Sequence, residues 1–288
     1  MKLAIGTVQF GLDYGVSNNT GQTSQKHVKD ILNYAQKHGV TLLDTAAAYG
    51  DAEKVLGLTN SKDFELVSKL PPIAANSANQ QALAFAKNAL STTLKHLQSN
   101  QIYGYLYHHS EDILNYPSVK NWLVSQKQQG IINKIGVSVY SPEQTAKVLE
   151  ACSIDLIQIP LNLFDQRFIH SGMLNALKDK GVEIHVRSAF LQGLLLLSKA
   201  QRPGYFQGLA SHFQQLDTLC AENNLAQLAV ALNFVMQQPQ VDKVVVGVNN
   251  QAQLAAIIQS LNLPLPKYDW QRLSCEDEAF INPSLWQI

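Results

Sequence analysis

The sequence predicts an α/β fold, a (β/α)8 barrel of the TIM type formed as a single domain over residues 1–288. Three observations predict it. Eight short apolar runs rich in β-branched residues alternate with longer stretches of helical periodicity. The runs are apolar on both faces, as expected of a parallel sheet covered on each side. Most of the intervals between them suit one strand-and-helix unit, and eight such units close into a barrel. The rival is an open doubly wound sheet, which uses the same alternation. Neither GxGxxG after a strand nor GxxxxGK[ST] occurs, so the glycine fingerprint that would favour that rival is missing.

In order, the strand candidates are LAIGTV (3–8), TLLD (41–44), FELVSK (64–69), YGYLYH (103–108), INKIGVS (132–138), DLIQIP (155–160), EIHVR (183–187) and KVVVGV (243–248). Between them the apolar positions follow i, i+3, i+4 spacing, as in Leu83, Ala86, Leu90, Leu94 and Leu97, or in Leu254, Ile257, Ile258 and Leu261. That spacing predicts amphipathic helices that cover a sheet. One interval, from Arg187 to Lys243, is long; it predicts a loop, QGLLLLSKAQRPGYFQG, and two helical segments. After the last unit, Pro264 and Pro266 stop the preceding helix, and a short aromatic-containing tail lies outside the barrel units. No internal repeat or low-complexity linker divides the chain.

Composition narrows the partners. The chain of 288 residues is 46% hydrophobic, enough for one sizeable core. Lys+Arg and Asp+Glu both total 22, so no global field recruits nucleic acid or an anionic membrane surface, and a small molecule is the expected partner. Cys152, Cys220 and Cys275 are odd in number and widely spaced, which argues against a disulfide framework and against a CxxC metal site. The N-terminus lacks the apolar run of a signal peptide, and no stretch approaches the ~20 apolar residues of a membrane span. The expectation is a cytoplasmic protein in a reducing compartment.

Polar residues fall where the strands end. Asp44 closes the second run, Lys69 the third, His108 the fourth, Ser138 the fifth and Arg187 the seventh, while Gln158 lies near the end of the sixth with Asn162 just beyond. In a parallel barrel these ends meet on the face that carries catalytic residues. Each has an ordinary alternative: Asp44 as a helix cap, Lys69 as a solvated loop cation, His108 as a structural histidine, Tyr49 as a packed aromatic. Together they suit proton delivery. A phenol of pKa ~10 gives up a proton reluctantly unless its anion is stabilised. An ammonium at ~4 Å supplies ~4 kcal/mol at an effective dielectric near 20, before desolvation is subtracted. A carboxylate beside the lysine keeps it charged, and an imidazole can hold a substrate oxygen as charge develops on it.

GTVQFG with YG at 14–15, DTAAAYG at 44–50, SKL at 68–70, YLYHH at 105–109, IGVSVY at 135–140, QIPLN at 158–162 and RSAFLQGLL at 187–195 occur in that order. By them the chain resembles the aldo-keto reductase family over most of its length. The resemblance implies a metal-free barrel that reduces carbonyls with a nicotinamide cofactor. It implies Tyr49 as general acid, Lys69 lowering its pKa, Asp44 pairing with Lys69, and His108, rather than His109, orienting the carbonyl. Ser138 and Gln158 match positions that bind the nicotinamide carboxamide, and Ser188 and Gly193 lie in the segment bordering the pyrophosphate.

The chain departs from the family at several places. Arg187 stands where many members have an aromatic ring that stacks on nicotinamide, and a planar guanidinium can stack there instead. GVNNQAQL puts Asn249 and Asn250 where the family often has an arginine for the adenosine 2′-phosphate. NADPH is the first expectation and NADH the alternative, with Lys199 or Arg202 of the long loop either substitute cations or ordinary solvated loop residues. The chain begins almost at strand one, so the family's N-terminal hairpin is expected to be absent. The loop SEDILNYP after His108 is short, and Phe10, Tyr14, the long loop and the tail are expected around the substrate. The functional expectation is reduction of an aldehyde or ketone. Its alternatives are a nicotinamide-binding sensor or interaction subunit with little turnover, and an unrelated barrel lyase or isomerase that uses no dinucleotide.

Overall fold

In a computed structural model that describes residues 1–59 and 61–286, the chain forms a closed parallel barrel of eight strands in sequential order. The strands are β1 (Leu3–Gly6), β2 (Leu42–Asp44), β3 (Glu65–Leu70), β4 (Ile102–Tyr107), β5 (Ile132–Ser138), β6 (Leu156–Pro160), β7 (Glu183–Arg187) and β8 (Lys243–Gly247). Closure is made by β1, which pairs with β2 through Ile5 opposite Leu43 and with β8 through Ile5 opposite Val246. All eight predicted strands exist, and their ends differ from the sequence limits by a few residues. Thr7 and Val8 leave the first run to start a short helix, and His108 stands one residue past β4.

Helices α1 (Val8–Gly11) and α2 (Gln25–Lys37) follow β1, α3 (Ala52–Gly57) follows β2, and α4 (Asn79–Leu97) follows β3. Next come α5 (Ser110–Asn115) and α6 (Pro117–Gln128) after β4, α7 (Pro142–Ala151) after β5, and α8 (Arg167–His170) and α9 (Met173–Asp179) after β6. The long interval after β7 holds three short 3₁₀ turns and then α10 (Ala210–Glu222) and α11 (Gln227–Met236), so the two expected helices are present. Helix α12 (Gln251–Gln259) follows β8, and the tail adds α13 (Glu278–Ile281) between 3₁₀ turns. SEDILN, expected as loop, is helix α5; its acidic Glu111 and Asp112 fall in the first turn, where the helix dipole favours them.

Helix starts are written locally. Ser24, Ser141 and Asn250 each accept a hydrogen bond from the backbone N–H three residues on, capping α2, α7 and α12. Pro142 sits in the first turn of α7, where its missing N–H costs nothing. The buried stripe of α4 is Ala82, Ala86, Leu90, Thr93 and Leu97. Inside the barrel, Ala4, Leu42, Val67, Leu106, Leu156 and Val245 form one apolar plug. Gly136 lets that plug close, because a Cβ there would lie 2.0 Å from the Leu156 carbonyl oxygen. Above the plug, toward the C-terminal ends of the strands, the inward positions become polar: Asp44, Lys69, His108, Ser138, Gln158 and Arg187. Among the described residues no helix is long and apolar enough to cross a membrane, and no group of three or more His, Cys, Asp or Glu side chains could hold a metal ion.

Candidate active site

A cavity of about 710 Å³ opens at the C-terminal mouth of the barrel, within the range that takes small organic ligands. Its wall includes Asp44, Tyr49, His108, Ser138, Gln158, Arg187, Ser188, Gly193 and Asn249, so most of the residues singled out from sequence share one space.

The inner end is built around Lys69, which is 1% exposed. The penultimate position of β3 aims it inward beside β2, where its Nζ donates to both Asp44 carboxylate oxygens at 2.8 Å and to the Thr45 carbonyl oxygen at 3.0 Å. Burial disfavours the ammonium, but Asp44 outweighs it and the Lys69 pKa stands above its ordinary value. Lys69 Nζ also lies 5.2 Å from the centroid of the Tyr49 ring. The Tyr49 ring meets His108 edge-on, with centroids 6.0 Å apart and planes at 86°.

Two features of this cluster differ from the sequence reading. Burial outweighs the expected downward pull of Lys69 on Tyr49 and leaves its pKa above the ordinary value, holding the proton on the phenol. Gln158, expected at the nicotinamide carboxamide, has a further partner that the sequence did not suggest: its Nε2 donates to Asp44 Oδ1 at 2.7 Å, leaving its carbonyl oxygen for a ligand. The His108 pKa is pushed down to about 4 by burial and then by the Lys69 charge, so the imidazole is neutral at ordinary pH.

Farther out, the Arg187 guanidinium lies 4.3 Å over the Tyr140 ring, and its Nη2 donates to the Val139 carbonyl oxygen at 3.0 Å. Ser138, at the end of β5, is buried beside it. The β7 loop is wound tightly: Ser188, Leu191 and Gln192 have φ of 60°, 48° and 54°, and Gly193 has 88°. Non-glycine residues enter that region at a cost, and such strain concentrates at functional loops. The loop after α1 crosses to it, with the Val16 N–H donating to the Gln192 carbonyl oxygen at 3.1 Å. The same loop reaches β8, where Asn249 Nδ2 donates to Asn18 Oδ1 at 2.9 Å, Thr20 Oγ1 at 3.1 Å and the Gly21 carbonyl oxygen at 3.2 Å.

Other expectations are corrected. Phe10 is fully buried core and does not line the cavity. Asn250 is a helix cap and not a wall residue. Arg202 is not a free loop cation: it forms a two-pronged pair with Asp217 at 2.6 and 2.8 Å over the Phe213 ring. Lys199 is exposed and outside the wall. The tail does contribute, through Pro283 and Ser284. Sequence reading missed Gln9, Asn18, Tyr140 and Gln192 as wall residues. Gln9, Tyr140 and Gln192 lie within the stretches that carry the family resemblance, and all four lie on segments that follow a strand at the catalytic end.

A closed parallel barrel with an acid, a lysine, a phenol and an imidazole gathered at its catalytic face defines a class of barrel proteins with an ionisable, cavity-lined mouth. The profile of the "Aldo/keto reductase family" matches residues 2–276, and the chain belongs to that family of oxidoreductases. It is similar to "Aldo-keto reductase YhdN" of Bacillus subtilis (strain 168), at 27% identity, covering 92% of this chain and 85% of the relative. It is also similar to "L-glyceraldehyde 3-phosphate reductase" of Escherichia coli (strain K12), at 25% identity, covering 87% of this chain and 84% of the relative. The solved structure of "aldo-keto reductase AKR11C1 from Bacillus halodurans (holo form)" superposes with a TM-score of 0.73 at 19% identity, covering 92% of this chain and 88% of that one. That likeness is one of fold. The family acts on small-molecule carbonyl substrates with nicotinamide cofactors.

Proposed function

We propose that this chain is a single-domain carbonyl reductase. It binds NADPH or NADH at the barrel mouth and reduces an aldehyde or ketone to an alcohol, with Tyr49 as general acid. The observation that carries this reading is the meeting of Tyr49, Asp44 and His108 on one wall of the cavity, with Lys69 buried behind them against Asp44 and the Tyr49 ring. The wall also fits a polar ligand, because Gln9 Oε1 and His108 Nδ1 are buried on it without a protein partner. Ser138 and Gln158 would hold the nicotinamide carboxamide. Arg187 would lie against the ring, Ser188 and Gly193 would border the pyrophosphate, and Asn249 would stand at the adenosine end.

When bound, the cofactor supplies a hydride for the carbonyl carbon. Tyr49 delivers the proton to the carbonyl oxygen, so the product gains both hydrogens of an alcohol. A raised Tyr49 pKa keeps that proton available before the reaction. Lys69 then faces the phenolate left behind and stabilises it, while Asp44 and Gln158 hold Lys69 in place. Neutral His108 offers a ring N–H to the carbonyl oxygen and does not compete as a proton donor.

Tyr49→Phe tests the assignment. Turnover is expected to fall by about 10²–10⁴-fold, the usual share of a general acid, while dinucleotide affinity stays within about threefold. Full activity in that variant removes Tyr49 from the mechanism. Dinucleotide binding without turnover across a broad carbonyl panel points to a sensor instead.

A further inference from the structure

The cavity has two ends. Asp44, Tyr49 and His108 form the inner one, and the outer one is formed by Asn249, by Gln253, Ala256 and Ile257 of α12, and by Asn18 to Thr20. An extended dinucleotide with its reacting ring at the inner end places its adenosine ribose toward the outer end, a placement that rests on the function proposed above.

Among the described residues, that outer end carries no cation. From Gly247 to Pro266 the sequence holds no charged residue, and from Gly11 to Ser24 the one charge is the carboxylate of Asp13. Among the described residues, Arg187 is the one lysine or arginine on the cavity wall, and it belongs to the inner half beside Tyr140. Arg202 is committed to Asp217. Lys26 and Lys29 stand exposed on α2, off the wall. The Asn249 amide nitrogen already serves three acceptors on the crossing loop, and Asn18, one of those partners, donates in turn to Asp13 at 2.9 Å.

A phosphomonoester brings a charge of about −1.5 to −2 and needs matching donors or cations where water is displaced. Here it would meet amide hydrogens that are already committed, and no counter-charge. A ribose hydroxyl is neutral, needs no counter-charge, and can both donate and accept among such amides. We infer that the adenosine end is built for a free 2′-hydroxyl, so that this chain binds NADH at least as tightly as NADPH. Asn249 is the specificity-determining residue, and the preference for NADPH that family resemblance suggests is removed.

Calorimetric titration of the full chain with NADH and with NADPH tests this without reference to turnover. The wild type is expected to bind NADH as tightly as NADPH or more so, and Asn249→Lys to shift the ratio toward NADPH by about tenfold through a new charge-assisted contact. Gln253→Arg, on the neighbouring wall, serves the same purpose if the first variant does not fold. Wild-type affinity for NADPH more than about threefold above that for NADH overturns the inference and leaves the proposed reductase standing. So does a ratio that neither variant changes. Failure of both dinucleotides to bind overturns the reductase reading along with it.

Discussion

Asp44 is the residue on which most of the inner cluster depends. It is 3% exposed and accepts from Lys69 and Gln158 at once. Asp44→Asn keeps the shape but leaves an ammonium buried without its counter-charge, and breaking a buried pair in this way costs about 3–5 kcal/mol. The expected outcome is a destabilisation of that order in urea melts, together with loss of turnover. A variant as stable as the wild type would mean that water already screens Lys69. The sequence made Asp44, Lys69, Tyr49 and His108 legible because each falls at or just after a strand end. It did not make Gln158's bond to Asp44 legible, since 114 residues separate them and their meeting follows from barrel closure.

Among the elements, the β7 loop combines strain with a close approach. Gly193 has φ of 88°, and a Cβ there would lie 1.9 Å from Ser17 Oγ on the crossing loop. Gly193→Ala is therefore expected to push the two loops apart and to weaken dinucleotide binding by about tenfold or more, with a global stability loss of only about 1–2 kcal/mol. Titration beside thermal unfolding separates the two effects; equal dinucleotide affinity in the variant would show that the loops can part without consequence for the cavity. The sequence could supply the glycine but not its neighbour. The helix caps at Ser24, Ser141 and Asn250 are the opposite case, because a cap is satisfied within four residues and needs no tertiary partner.

For the whole molecule, the end of the barrel away from the cavity is tied by Glu183 at the start of β7. It accepts from Tyr103 on β4 at 2.9 Å, is ion-paired with Lys134 on β5, and contacts His185 Nε2 at 2.7 Å. Burial opposes the carboxylate, but its hydrogen bonds from His185 and Lys134 prevail and bring its pKa to about 2. A depressed carboxylate adds stability that is complete above the unfolded value near 4.5 and is lost as pH falls toward 2. With solvent screening of the partly exposed pair allowed for, the shift corresponds to about 1–3 kcal/mol. Glu183→Gln is thus expected to be less stable at pH 7 by an amount of that order, with the gap to wild type closing between pH 4.5 and pH 2. A gap that is constant with pH would assign the loss to packing rather than to charge.

The sequence by itself determined the eight strands, the covering helices and which strand ends carry chemistry, because periodicity and strand-end position are properties of a dozen residues at a time. Tertiary structure alone decided which way the Tyr49 proton is biased, what Gln158 holds, that Phe10 is core, and that Arg202 is already spent on Asp217. Those outcomes depend on burial and on partners brought together from distant strands and loops, and electrostatic free energy in a cavity is set by that company and not by residue type.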